Sequence, residues 1–128
     1  MLSLVVYIWL LAQLYIDKDT ILNCQPILGK ALIVLHHAFQ IYILFGGYLS
    51  DSRIHLAIVI LSFTVHYMNN RLCPITVIHN KICGYEENRQ LQTVLNKIEP
   101  DRKRVIYFYY VILLITASYD IFMITRNK

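Results

Sequence analysis

The stretch His55–Gly84, HLAIVILSFTVHYMNNRLCPITVIHNKICG, decides how the chain is read. It opens as an apolar run, passes through His66 and breaks into the polar segment NNRLCPITVIHNKICG, which lies too close to the apolar run to be a separate domain. Within the run, His55, Val59, Ser62 and His66 recur at i, i+4, i+7 and i+11, so they share one face of a helix that, if it persists, continues through Asn69 or Asn70 to Cys73. A polar stripe of this kind is costly against lipid and must face a helix bundle or a wet cavity. Pro74 is expected to end or kink the helix near Leu72, because its ring disfavours helical geometry in the residue before it. Beyond it, Ile75–Gly84 reads as a short helix that sets His79 and Cys83 one turn apart, with Gly84 as its stop.

Composition places the stretch in a bilayer. The 128 residues are 57% hydrophobic and only 16% charged, with a mean hydropathy of +0.49, far from the balance of a soluble domain. The formal charge of +4 lies in loops between apolar runs. No basic helix is interleaved with base-stacking aromatics, so nucleic acid is not expected as a partner. Three cysteines form no complete disulfide framework. The first apolar run has no basic residues before it and no small-residue cleavage pattern after it, so a cleaved signal peptide is not expected.

Working outward, four apolar segments read as spans of about 1–16, 31–49, 54–72 and 105–124, with an interfacial region over 73–104. In the first, Gln13 is expected to face a protein neighbour. A loop over residues 17–30 follows, containing Asp17, Asp19, Cys24 and Pro26. In the second span, His36 and Gln40 align with Ile43 and Gly47 on an inward face, and Gly46 and Gly47 let a neighbouring backbone come close. In the last span, Tyr109, Leu113, Thr116 and Asp120 form an inward stripe, with Asp120 either reaching the far headgroups or pairing with a histidine of the third span. Tyr107, Tyr109 and Tyr110 beside Arg102, Lys103 and Arg104 suit an interfacial anchor.

Residues 86–98 carry Leu91, Val94, Leu95 and Ile98 at i, i+3, i+4 and i+7, the pattern of a short amphipathic helix. Leu91 and Leu95, with Arg102, Lys103 and Arg104, are the expected contacts to a protein partner or anionic headgroups. Residues 17–30 and 69–104 together hold nine of the twelve Lys and Arg. The positive-inside rule therefore sets both regions in the cytosol and both termini on the other side. All three cysteines then fall where thiols stay reduced.

Two constellations suit chemistry. Cys73, His79 and Cys83, with Cys24 as a fourth, offer thiolates and imidazole of the kind that binds zinc, in a spacing unlike the usual finger patterns. His36 or His37 facing His55 or His66 would offer axial ligands to a haem between neighbouring helices. The alternative is that His36, Gln40, His55, His66, Asn70 and Asp120 are polar packing groups of the bundle. No Ser-His-Asp or Cys-His-Asn set, phosphate loop or pair of catalytic carboxylates is legible.

With His37, Phe39, Gly46-Gly47, His55 and Asn70–Thr76 in hand, the chain resembles small four-helix membrane proteins whose pattern is His, Gly-Gly, His and Cys-Pro-Leu-Thr. Such proteins are found in bacteria, and segments like HYMNNRLCPIT followed by IHNKICG are similar to those of membrane proteins from large DNA viruses. The resemblance covers roughly residues 36–90 and implies a four-span fold without an activity. Ile75 stands in place of the pattern's Leu, and His79 stands near where an acid is often found. The resulting expectation is an all-α integral membrane bundle of about four transmembrane helices plus a short amphipathic helix. Its expected role is non-enzymatic, a structural or scaffolding subunit of a membrane-associated assembly, with the internal membrane beneath a large DNA virus capsid as the leading setting. Its partners are then the lipid bilayer and assembly proteins such as viral capsid proteins. The alternative is a metal- or haem-binding membrane redox protein using its His and Cys residues.

Overall fold

A computed structural model describes residues 2–86, 89 and 101–126. Among them the chain forms six helices and no strand: α1 (Leu2–Ile16), α2 (Lys18–Asn23), α3 (Ile27–Leu49), α4 (Ser52–Met68), α5 (Pro74–Cys83) and α6 (Arg102–Arg126). Most of the expected amphipathic helix over 86–98, including Leu91 and Leu95, lies outside the described residues.

Helix α3 organises the packing, a role the sequence assigns to His55–Gly84. It packs against α1, α2, α4, α5 and α6, and the most extensive pairing elsewhere is α4 on α6. The expected loop over residues 17–30 is mostly helical. The α1 backbone bonding carries on across Asp17, whose N–H donates to the Gln13 carbonyl and whose own carbonyl accepts from Ile21. The chain turns only at Cys24–Pro26, where both cap residues are extended. Pro26 has its fixed φ of −67° there, and α3 starts at once at Ile27, earlier than the expected Ala31.

Helix α4 begins at an Asp51 cap, whose side chain accepts from the Arg53 N–H at 2.8 Å. It stops at Met68 rather than running on towards Leu72. Asn70 and Arg71 have φ of +52° and +63°, and the Arg71 N–H closes back on the His66 carbonyl at 2.9 Å. Two left-handed residues end α4 and step the chain aside before Pro74, which then opens α5 in the first-turn position that needs no N–H. Asn tolerates this backbone well, while Arg71 holds it at a cost. Helix α5 runs antiparallel along the first half of α3, with Thr76 beside His36 and Cys83 beside Gly29. Gly84 ends it at φ +72°.

Burial is inverted relative to a water-soluble domain. Among the described residues, the buried apolar set is Cys24, Ile33, Ile41, Ile43, Val59 and Leu113, whereas ten polar or charged residues are buried, including Gln13, Asp17, four histidines and Asp120. Large apolar side chains such as Leu4, Ile8, Leu61, Phe63, Leu114 and Phe122 point outward along α1, α4 and α6. Helix α3 and Lys103–Arg126 of α6 are long and apolar enough to cross a membrane, and Leu4–Ile16 and Ser52–Met68 are shorter apolar helices.

Candidate functional site

The inward stripes of α4 and α6 meet. His55 Nδ1 lies 2.6 Å from Asp120 Oδ2, and both side chains are fully buried. His55 Nε2 lies 3.1 Å from the Tyr42 carbonyl, which only accepts, so Nε2 carries a proton. A second proton must then sit between Nδ1 and the carboxylate, since two lone pairs cannot share a 2.6 Å contact. Gly46 and Gly47 make the room: a Cβ on Gly46 would stand 2.5 Å from His55 Cδ2, and one on Gly47 would stand 2.6 Å from Asp120 Oδ1. The two glycines thus admit an imidazole and a carboxylate, rather than the neighbouring backbone expected from sequence. A second buried pair, His37 Nε2 with Asp17 Oδ2 at 3.0 Å, ties the start of α2 to α3. Sequence reading missed it, because Asp17 looks like a loop acid until α2 draws the chain inward.

Between α3, α4, α5 and α6 lies a cavity of about 430 Å³. His36, Gln40, Ser62, His66, Arg71, Cys73, Thr76 and Tyr109 supply its polar lining, and the rest is apolar. Ser62 Oγ and the Tyr109 hydroxyl are 3.2 Å apart, and His66 Nδ1 lies 3.4 Å from the Tyr110 hydroxyl. His36 and His66 share this cavity, while His37 and His55 are held in their carboxylate pairs. Asn70, expected to pack in the bundle, is exposed in the turn after α4, where its backbone rather than its side chain is used. Lys103 and Arg104 are exposed, and Arg104 faces Asp101 at 3.6 Å one turn away.

The cysteines do not stay separate thiols. Cys24 and Cys83 form a disulfide across a sequence separation of 59, and Cys73 is the free thiol. This corrects the expectation of three reduced cysteines: the Cys24–Pro26 turn and the end of α5 converge on Gly29, whose missing side chain leaves space for both sulfurs. It also redraws the Cys73, His79, Cys83 set. Cys73 opens α5 and lines the cavity, while the ligand atoms that come within 4.8 Å of one another belong to Cys24, His79 and Cys83. His79 Nε2 lies 3.2 Å from Cys83 Sγ, and its Nδ1 lies 3.2 Å from Asn80 Oδ1. The Asn80 amide donates to the Arg89 carbonyl at 2.6 Å, which turns its oxygen towards His79. Asn80 was not singled out from sequence; an Asn directly after a His and three before a Cys is the only signal it leaves.

Burial lowers the His79 pKa from 6.5, with the Asn80 hydrogen bond opposing the shift. The folded chain therefore takes up this proton less readily than the unfolded chain. The neutral His79 contributes its full stability above pH 6.5, and that contribution falls as pH drops through 6.5 towards the lowered native value. Melting in detergent between pH 8 and pH 5 is expected to fall more for the wild type than for His79→Gln. Equal pH slopes would refute the assignment.

Compared with family models, curated proteins and solved structures, the chain matches none.

Proposed function

We propose that this is a four-span integral membrane protein that holds one lipid-like molecule in the cavity between α3, α4, α5 and α6. The inverted burial supports the membrane setting: an apolar exterior around a polar interior suits lipid and is costly in water. In this reading α1 and α4 span alongside α3 and α6, with α2 extending α1. The basic-residue asymmetry favours the cytosolic side for the face that carries α2, α5 and the cavity.

The observation that carries the functional reading is the cavity, whose volume of about 430 Å³ falls within the usual range for small-molecule sites. Among the described residues its walls hold no carboxylate. His36, Gln40, Ser62, His66, Tyr109 and the Arg71 edge all offer donors, so the favoured ligand has an apolar tail and an oxygen acceptor at its head. The expected scaffolding role draws on residues 86–98, most of which lie outside the described set, and the cavity favours the ligand reading over it.

The test uses the full chain in mild detergent with a spin-labelled fatty acid as probe. Saturable one-to-one binding is expected, with an immobilised spectrum. Ser62→Phe, which fills the cavity from α4, is expected to weaken binding at least tenfold while the protein still melts cooperatively. Unsaturable partition that is unchanged in Ser62→Phe would refute the ligand reading.

A further inference from the structure

The Cys24–Cys83 disulfide lies beside a histidine whose orientation is of no use to a purely structural cross-link. The Arg89 carbonyl fixes the Asn80 amide, the amide oxygen accepts the His79 Nδ1 proton, and Nε2 is left to present its lone pair to Cys83 Sγ at 3.2 Å. A disulfide sulfur has no proton to give that lone pair. A Cys83 thiol has one, so the contact becomes an S–H···N hydrogen bond only when the disulfide is open. The two sulfurs are also unequal: Cys24 is 0% exposed, whereas Cys83 is partly accessible. Cys73 cannot substitute for either, since it sits at the other end of α5, roughly 15 Å away at helical rise.

We propose that Cys24 and Cys83 are an exchange-active pair that passes electrons to and from external thiols and disulfides, with Cys83 the reacting sulfur, Cys24 the resolving one and His79 the base. In the reducing direction, the Cys83 thiol gives its proton to His79 Nε2, and the thiolate attacks a disulfide RSSR. A Cys83–SR bond forms, the S–S bond of RSSR breaks, and the departing thiolate takes the proton back from His79. The Cys24 thiol then loses its proton to the His79 ring, within 4.8 Å of its sulfur, and its thiolate attacks Cys83 Sγ. The second RS⁻ leaves and is protonated, giving two RSH and the Cys24–Cys83 disulfide. Oxidation of two thiols runs through the same steps in reverse.

His79 matters because Cys83 closes α5, and the negative end of a helix dipole disfavours a thiolate there. Location agrees with the chemistry. The basic-residue pattern sets this face in the cytosol, where disulfides in most organisms are transient and serve catalysis or sensing.

The experiment uses the full chain in detergent, carrying Cys73→Ser, equilibrated with reduced and oxidised glutathione and read by thiol mass-tagging. Reversible two-electron titration without loss of the folded melting transition is expected. With Cys24→Ser added, oxidised glutathione should cap Cys83 one-to-one, whereas with Cys83→Ser the buried Cys24 should react at least tenfold more slowly. His79→Gln, checked for a retained disulfide and melting transition, should slow capping of Cys83 at pH 7 by tenfold or more and remove the histidine-range inflection from its pH–rate profile. Three results would each overturn the proposal. They are a disulfide that opens only on unfolding, faster capping of Cys24 than of Cys83, and a reduced chain that retains one zinc ion and does not exchange.

Discussion

Asp120→Ala is expected to destabilise the bundle by about 3–5 kcal/mol, the usual cost of removing one partner from a buried ion pair. The reason lies in what remains. His55 keeps its Nε2–H bond to the Tyr42 carbonyl, but Nδ1 is left facing an empty site in the cradle of Gly46 and Gly47. Asp120→Asn is expected to cost only about 1–2 kcal/mol. An amide can donate to Nδ1 of the neutral imidazole, so the contact survives with one proton redistributed. Chemical unfolding in detergent measures both. If Asp120→Ala unfolds with the wild type, the pair does not hold α4 to α6 and the proton count drawn from its geometry loses its support.

Gly29→Val is expected to be the second severe change. A Cβ at this position would collide with the sulfurs of both Cys24 and Cys83, leaving the disulfide no room. In the chain-entropy view, losing a cross-link over a separation of 59 costs about 4 kcal/mol. Mass-tagging should show three free thiols in the variant. Pairing Gly29→Ala with Cys24→Ala and Cys83→Ala isolates the contact: smaller groups remove most of the collision, so the glycine change should become nearly neutral in that background. A normal disulfide in Gly29→Val would refute the packing argument.

Local periodicity made much of the fold legible. The α4 face with His55, Val59 and Ser62 and the α6 face with Leu113 and Asp120 follow directly from helical spacing, and the bounds of α5 follow from Pro74 and Gly84. What periodicity does not encode is which faces meet. Asp17 finds His37 only once α2 turns the chain inward, and Cys24 finds Cys83 across 59 positions. Three cysteines allow several pairings, and no spacing rule selects among them. The early end of α4 escaped for a different reason. Pro74 is a visible stop signal, but the left-handed backbone at Asn70 and Arg71 acts before it. Asn80 is legible only through its neighbours, since its role depends on the Arg89 carbonyl nine residues away.

The turn at Asn70 and Arg71 also shapes the molecule as a whole. By setting α5 along the first half of α3, it adds a helix at one end of the bundle, while among the described residues the other end holds α1, α3, α4 and α6. In the proposed bilayer setting, the described helices therefore take up more area at the cytosolic face than at the opposite one.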